Sequence, residues 1–240
     1  MARLDRRLLL ASGFASMFVV IGVLIAAGVA QPFDGYAVRH LMPGLGADFQ
    51  KPSLPGRLIP FLTDAQRHHE GFQQAVKVIS FPASGLPSVV LLMIGCFLLW
   101  RRGDGPDALT WVAVWAVAIG TELISEALVS HKPFLLTSPY GVVRSVEYEN
   151  SYPSGHAIRA ALLATMASRL FPRLRPYFVI WTATVAVGLE LGAAHTPTDI
   201  LGGLALAAFL ITSTRVARLK PSNILGPTAV QRLRRLIRQA

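Results

Sequence analysis

Apolar residues fall into long blocks along the chain, separated by short polar stretches. The first block, Leu8 to Ala30, is long enough to cross a bilayer as a helix, which requires about 20 apolar residues. Further blocks run over residues 79–100, 108–130, 154–171, 176–194 and 198–214, and Pro82 and Pro87 interrupt the start of the first of these. The pattern therefore predicts an all-α fold, a bundle of six transmembrane helices that forms one membrane domain over residues 1–214.

The composition also indicates a membrane protein. Of the 240 residues, 52% are hydrophobic and 15% are charged, whereas about 25% are charged in a typical soluble domain. The single cysteine, Cys96, excludes an internal disulfide. The first block follows a basic stretch, MARLDRR, as in a signal peptide, but its apolar run of about 22 residues exceeds the 7–15 of a signal peptide. We therefore expect a retained helix.

The net charge of +10 follows from membrane topology, because Lys and Arg concentrate in the cytoplasmic segments of membrane proteins. With both termini inside, the inner segments contain 15 of the 23 basic residues, namely Arg3, Arg6, Arg7, Arg101, Arg102, Arg169, Arg173, Arg175, Arg215, Arg218, Lys220, Arg232, Arg234, Arg235 and Arg238. The outer segment 31–78 is nearly neutral. We therefore expect a plasma (inner) membrane protein with cytoplasmic termini, a basic cytoplasmic tail over residues 215–240, and no binding of nucleic acid.

Two polar segments outside the blocks need an interpretation. Residues 227–240 place Val230, Leu233 and Ile237 on one helical face among arginines, which is typical either of an interfacial helix on anionic lipid or of a disordered tail. In the outer segment His68 and His69 are adjacent, but no acidic or Cys residue stands at convincing ligand spacing. We interpret them as surface histidines, and we expect no metal site and no cofactor.

Three short polar clusters fall at the outer ends of the predicted helices. They read SHKP at residues 130–133, SYPSGHA at 151–157 and AAHTPTD at 193–199. On the topology above, all three lie at the same membrane depth, where polar side chains are costly unless they are paired or functional. We therefore expect the three clusters to form one site.

The second cluster has the composition of an anion site. Pro153 suits the first turn of a helix, where its missing N–H costs nothing. The N–H groups of Ser154, Gly155 and His156 would then be free at a helix N-terminus, an arrangement that binds phosphate. Gly155 allows close approach, the Ser154 hydroxyl adds a donor, and His156 can supply a proton near neutral pH.

The third cluster has the composition of a nucleophilic site. Thr196 can cap a helix that begins at Pro197, and His195 comes just before the cap. Asp199 can accept a hydrogen bond from one ring nitrogen of His195 and leave the other nitrogen free to attack phosphorus. Lys132, in the first cluster, would balance the phosphate charge. Each feature alone is also compatible with a structural role, because an aspartate stabilises the positive end of a helix.

The segments HKP, SYPSGHA and HTPTDILGG resemble the three signature segments of the integral-membrane type 2 phosphatidic acid phosphatases, over roughly residues 121–214. The resemblance implies a six-helix bundle of the haloperoxidase-like fold. It implies metal-independent dephosphorylation of a lipid phosphate at the outer membrane surface. It also implies His195 as the nucleophile, Asp199 as its partner and His156 as the general acid.

The chain departs from the family pattern at its cations. In the first signature, Ser125 stands where Lys is usual and Lys132 stands where Arg is usual. In the third signature, Gly188 and Leu189 stand where Ser-Arg is usual. Lys lacks the bidentate fork that Arg offers to phosphate, so we expect a weakened phosphate clamp.

Arg159 is our candidate for the missing clamp. It lies three residues after the histidine of the second cluster and shares its helical face, and an arginine one turn into a membrane helix requires a reason. The alternative is that Arg159 pairs with an acidic residue of the helices, Glu122, Glu126 or Glu190. Arg144, in the loop before the second cluster, is a further candidate for the clamp.

The leading interpretation is a membrane lipid-phosphate phosphatase, with phosphatidic acid, phosphatidylglycerol phosphate or polyprenyl phosphates and diphosphates as candidate substrates. Two alternatives stay open. A phosphotransferase would use the same residues and pass the phosphoryl group to an acceptor other than water. A degenerate lipid-binding membrane protein would explain the missing cations, although binding alone has no chemical need for His156, His195 and Asp199 together. The expected partners are a phosphorylated lipid and the membrane.

Overall fold

The computed structural model describes residues 2–40, 71, 74–137, 143–146, 148, 150–192 and 194–217. Helix α1 spans Ala2–Ala26 and α2 spans Gln31–His40. Residues 74–80 form α3, which continues into a 3-10 turn at Phe81–Ala83. Five longer helices follow: α4 (Gly85–Arg101), α5 (Gly105–Leu128), α6 (Gly155–Leu170), α7 (Arg175–Leu191) and α8 (Pro197–Ala217). A second 3-10 turn, Pro172–Leu174, joins α6 to α7.

A short β-hairpin between α5 and α6 is present in addition to the helices that the sequence predicted. Its antiparallel strands are β1 (Phe134–Thr137) and β2 (Val143–Val146). The ring of Phe134 packs edge-on against Tyr148, with centroids 5.8 Å apart, and lies 6.0 Å from the ring of His131. Phe134 of the first strand and Tyr148, which comes after the second strand in sequence, therefore form an aromatic pair beside His131 of the first polar cluster.

Helix α6 lies at the centre of the bundle, in contact with α4, α5, α7 and α8. Its residues Ile158 and Leu162 are fully buried in an apolar cluster that includes Trp111 and Trp115 of α5. On its other side a smaller apolar cluster joins it to α7 and α8. Packing on several sides fixes the N-terminus of α6, which begins within the second polar cluster.

Helix α1 packs along α8, and Tyr152 fills the space between them. The Tyr152 ring stacks on Phe18 with centroids 5.5 Å apart, and its hydroxyl donates to the Phe18 carbonyl. A Cβ at Gly202 of α8 would overlap the Tyr152 ring. The absence of a side chain at residue 202 thus lets the segment before α6 lie directly on α8.

Large apolar side chains cover much of the outer surface of the helices. Examples with more than half of the residue exposed are Leu9, Val23, Leu86, Phe97, Trp100, Leu109, Leu123, Tyr177 and Ile180. Soluble monomers rarely expose contiguous apolar surface of this extent. The surface is that of a protein whose helices contact lipid.

The predicted number of membrane crossings is not confirmed. A helix occupies most of each predicted apolar block, but among the described residues three single helical stretches are long and apolar enough to cross: Arg6–Ala26, Gly105–Leu128 and Pro197–Thr214. Gln74–Ala83 and Gly85–Arg101 would form a fourth crossing if their 42° bend lies within one span. Helices α6 and α7 have 16 and 17 residues. At 1.5 Å per residue they reach only about 25 Å, less than the hydrocarbon core of about 30 Å, so six crossings stay a prediction.

Candidate active site

The three polar clusters lie together, where α5 ends and α6 and α8 begin. His131 of the first cluster donates from Nε2 to Oδ1 of Asp199 in the third, over 2.8 Å. The Ser154 N–H of the second cluster donates to the Asp199 carbonyl over 3.0 Å. The ring centroids of His156 and His195 are 6.3 Å apart. Residues of the three clusters, which are distant in sequence, are therefore neighbours in one candidate site.

The start of α6 differs from its prediction in two respects. The helix begins at Gly155 with Ser154 as its N-cap, so Pro153 precedes the cap and does not occupy the first turn. The buried Ser154 hydroxyl accepts from the Ala157 N–H at 3.4 Å. The Ser154 N–H, which we expected to be free, is used by Asp199 because α8 approaches closely. At this contact a Cβ on Gly203 would lie 2.6 Å from the Ser154 carbonyl.

Two backbone donors of the predicted anion cradle stay available at this helix start. Among the described residues, the N–H groups of Gly155 and His156 have no hydrogen-bond acceptor. Both lie in the first turn of α6, where the helix carries partial positive charge. The cradle therefore consists of two N–H groups and not three.

The start of α8 agrees with its prediction. Pro197 is the first residue of the helix and Thr196 caps it. The Asp199 N–H donates to the Thr196 hydroxyl at 3.4 Å, and the Thr196 N–H donates to Asp199 Oδ2 at 3.1 Å. This reciprocal pair is a capping box, so Asp199 has the structural role that the sequence left as an alternative.

The carboxylate of Asp199 is fully buried and has several partners. Besides His131 and Thr196, the Ser151 hydroxyl donates to Oδ2 at 2.8 Å. His195 Nδ1 lies 3.8 Å from the same oxygen, beyond hydrogen-bond distance. This Nδ1 is buried without a partner among the described residues. The two groups of the predicted pair are neighbours, and a small ring movement would join them, as is common for catalytic groups without substrate.

Asp34 and His131 form a buried extension of the site that the sequence did not indicate. Asp34, in α2, accepts from the Thr198 N–H at 3.2 Å and from its hydroxyl at 2.6 Å. His131 Nδ1 lies 3.9 Å from Asp34 Oδ2, so this ring stands between the carboxylates of Asp34 and Asp199. The available signals were the histidine next to Lys132 and a lone acid within the stretch QPFDGYAV.

Burial alters the titration of the groups around this extension. Burial raises the pKa of Asp34 above its usual value, although the hydrogen bonds from Thr198 and the nearby His131 oppose the shift. Burial, together with the charges of Asp199 and Asp34, raises the pKa of Tyr148 to about 12. Tyr148 therefore stays protonated at physiological pH.

The positions where the sequence analysis considered phosphate-binding cations have other neighbours in the described part of the chain. Lys132 is exposed, and its Nζ lies against Gly28, where a Cβ would be 2.9 Å away. That is the C-terminal end of α1, whose carbonyls carry partial negative charge. Leu189 is buried in the apolar cluster between α6, α7 and α8, and Ser125 is buried in α5. The Leu189 carbonyl accepts the His195 N–H at 3.3 Å, so this position contributes through its backbone.

Arg159 makes the acidic pairing that was the alternative to a phosphate clamp. Its Nη1 donates to both carboxylate oxygens of Glu122, at 2.9 and 2.8 Å, and its Nε donates to the Ala83 carbonyl at 2.8 Å. Its Nη2 lies beside Gly155. A role of Arg159 in binding phosphate stays a prediction. The side chain of Arg144, the further candidate for the clamp, lies outside the described part of the chain.

Metal ligation has no candidate group in the part of the chain that the structure describes. There, no set of three or more His, Cys, Asp or Glu side chains is arranged to hold an ion. His68 and His69, interpreted above as surface histidines, lie outside these residues, as does the tail from residue 218.

Comparisons with known proteins agree with the fold and the motifs. Residues 110–221 match the PAP2 superfamily. Over 92 residues the chain is 32% identical to a lipid A 1-phosphatase from Rhizobium johnstonii, which is 38% of this chain and 38% of that protein. The match thus spans well under half the length of that relative. The fold is similar to a transmembrane PAP2-type phosphatidylglycerolphosphate phosphatase from Bacillus subtilis, with a TM-score of 0.59 and 16% identity over 88% of this chain and 98% of that one.

Proposed function

We propose that this protein, whose residues 110–221 match the PAP2 superfamily, is a membrane phosphatase that hydrolyses a phosphorylated lipid through a phosphohistidine. The observation that carries the proposal is the closeness of two histidine rings, those of His156 and His195, whose centroids are 6.3 Å apart and whose planes are tilted by 58°. The free N–H groups of Gly155 and His156 start the helix beside this pair. A phosphate bound to them would lie between a nucleophile and an acid.

In the first step, His195 attacks the phosphorus atom. Its Nδ1 faces Asp199, so Nε2 forms the new P–N bond and the buried carboxylate stabilises the imidazolium that results. The P–O bond to the lipid breaks, and His156 gives its proton to the departing lipid oxygen. The Gly155 and His156 N–H groups bind the oxygens on which charge develops.

In the second step, water attacks the phosphorus atom of the phosphohistidine. His156, now neutral, accepts a proton from this water, and the P–N bond breaks to release inorganic phosphate. His195 and the proton on His156 are both restored, so the two steps together consume one water. No step in this sequence uses a metal ion.

A lipid is the substrate class that the surroundings favour. The site lies at the ends of helices whose outer surfaces are apolar, where the headgroup of a bilayer lipid would be found. The two relatives named above are phosphatases of lipid A and phosphatidylglycerolphosphate. We place the site at the outer side of the membrane, with both termini in the cytoplasm, because Lys and Arg concentrate in the opposite segments.

The test is phosphate release from a panel of lipids by the purified protein in excess EDTA. The panel contains phosphatidic acid, phosphatidylglycerol phosphate, polyprenyl diphosphate and lipid A carrying a 1-phosphate. We expect release from at least one of them, and we expect His195→Ala to lower kcat by about a thousandfold or more, as for a nucleophile.

The control is the thermal unfolding midpoint of the same preparations, which must be equal for wild type and variant. If His195→Ala releases phosphate as fast as wild type, the assignment of the nucleophile is wrong. If EDTA abolishes release, the reaction depends on a metal ion and the proposed steps are wrong.

A further inference from the structure

The ion pair between Arg159 and Glu122 lies within the site and not on the outside of the bundle. The side chains of Arg159 and Glu122 are 14% and 11% exposed. One arginine nitrogen contacts both carboxylate oxygens. Because the pair is largely removed from water, each charge depends on the other for compensation.

The carboxylate of this pair lies directly against the start of α6. A Cβ at Gly155 would overlap Glu122 Oε1 and would lie 2.6 Å from Arg159 Nη2. The sequence analysis expected the missing side chain at Gly155 to let phosphate approach the backbone. In the structure it is the Glu122 carboxylate that approaches the backbone there. The carboxylate lies beside the Cα of Gly155. Among the described residues it does not accept from the Gly155 or His156 N–H, so it is next to the cradle without filling it.

We propose that Glu122 holds Arg159 beside the phosphate cradle in the unliganded protein, and that an entering phosphate takes Arg159 over from it. This inference rests on the proposed function, because it concerns the same site. Arg159 is then both the partner of Glu122 and the phosphate clamp, in two states of one site. The two alternatives that the sequence left open for Arg159 are thereby joined.

The resident carboxylate makes the site selective for phosphomonoesters. A carboxylate carries one negative charge, and so does the phosphodiester of an ordinary phospholipid. A terminal phosphomonoester carries up to two charges and three free oxygens, so it gains more from Arg159 and from the two N–H groups. Each entering headgroup must compete with the Glu122 carboxylate for Arg159, and this competition discriminates against the ligand that binds more weakly. Here the weaker ligand is the phosphodiester headgroup, which a bilayer contains in excess.

The test compares Glu122→Gln with Glu126→Gln. Glutamine keeps the shape of the side chain and removes its charge. Glu126 is one turn further along the same helix, and within the described residues the ion pair of Arg159 is with Glu122. The measurement is the inhibition constant of inorganic phosphate, as a competitor of lipid hydrolysis, and its dissociation constant by calorimetry in detergent.

We expect Glu122→Gln to bind inorganic phosphate about tenfold more tightly than wild type, because one like charge has left the site. We expect Glu126→Gln to bind within about twofold of wild type, since the ion pair that Arg159 makes among the described residues is with Glu122 and not with Glu126. An unchanged or weaker affinity in Glu122→Gln would overturn the inference.

A second variant covers the case in which Glu122→Gln does not fold. Glu122→Asp keeps the charge but withdraws the carboxylate by one methylene from Gly155. We expect intermediate phosphate affinity, between wild type and about tenfold tighter. Phosphate affinity equal to that of wild type in Glu122→Asp, at an equal unfolding midpoint, would contradict the inference.

Vesicles of phosphatidylglycerol, an anionic phosphodiester, test the selectivity. They should inhibit Glu122→Gln and leave wild type unaffected, and equal inhibition of both would contradict the selectivity. Calorimetry with inorganic phosphate requires no turnover. Loss of the proposed function, seen as full activity of His195→Ala, is therefore distinguishable from failure of this inference, seen as unchanged phosphate affinity in Glu122→Gln.

Discussion

Asp199 is held by hydrogen bonds from His131, Ser151 and the backbone of Thr196. Its orientation toward His195 therefore depends on residues that would not themselves touch phosphate. His131 is the strongest candidate among them, because its ring bonds Asp199 at 2.8 Å and is almost completely buried. We expect it to act as a positioning residue for the pair of Asp199 and His195.

Replacement of His131 tests this role. His131→Ala removes a hydrogen bond to a charged group, which contributes about 1.5–3 kcal/mol. If this hydrogen bond stabilises the transition state, its loss in His131→Ala lowers kcat about 10- to 100-fold and leaves KM unchanged. His131→Gln can still donate to Asp199 and should recover most of kcat. The measurement is the steady-state kinetics of both variants at equal unfolding midpoint, and equal loss in both, or a change in KM alone, would contradict the role.

The sequence indicated the candidate site residues, whereas most of their contacts became visible only in the structure. His156, His195, Asp199 and Gly155 occur in short motifs whose local chemistry can be read along the chain. Asp34 precedes Thr198 by 164 positions, and no local pattern connects them. Lys132 is expected at the phosphate because of its motif, which stays a prediction, and in the structure its Nζ lies against Gly28 at the end of α1. A side-chain direction of this kind follows from tertiary packing.

At the scale of elements, Asp34 joins the short helix α2 to the start of α8. The joint consists of its two hydrogen bonds from Thr198. His131, Asp199 and Tyr148 are the titratable groups around it. Because burial raises the pKa of Asp34, the folded protein favours the protonated carboxyl more than the unfolded chain does.

The pH dependence of stability follows from the sign of this shift. A raised carboxyl pKa gives stability that is complete below the ordinary value of 3.8 and is lost as pH rises through the value in the folded protein. Asp34→Asn keeps the capacity to bond Thr198 and cannot titrate. We expect its thermal unfolding midpoint to fall less than that of wild type as the pH is raised from below 3.8.

Asp34→Ala is the matched variant for the joint itself. It leaves the Thr198 N–H and hydroxyl without their acceptor, at a cost of about 1–3 kcal/mol, and should lower the midpoint at every pH. If the thermal unfolding midpoint of Asp34→Asn changes with pH as that of wild type does over the whole range, Asp34 does not cause the pH dependence of stability.

The starts of α6 and α8 show what local sequence can predict about an element. Thr196 and Pro197 were predicted as cap and first residue of α8, and this is confirmed, because the capping box is local. Pro153 was predicted in the first turn of α6, and this is wrong. The local preference of proline allows a position before the cap as well, and Ser154 has the better capping side chain.

At the scale of the whole molecule, hydrophobic pattern predicted the helical class and the placement of helices, but not the number of crossings. Helices α6 and α7 are shorter than a membrane core, and α6 is buried within the bundle. A buried helix and a membrane-spanning helix can be equally apolar, so the pattern does not separate them. The side of the membrane on which the site lies stays a prediction from the distribution of Lys and Arg.

The central claim is that His195 becomes phosphorylated during turnover. The most direct measurement is rapid quenching of the purified protein during hydrolysis of a lipid substrate, under alkaline conditions that preserve phosphohistidine, followed by mass spectrometry of the peptide that contains residues 193–199. We predict a phosphoryl group on His195 in wild type during turnover and none on that peptide in His195→Ala. Steady release of phosphate with no phosphoryl group on His195, or with one on another residue, would contradict the account.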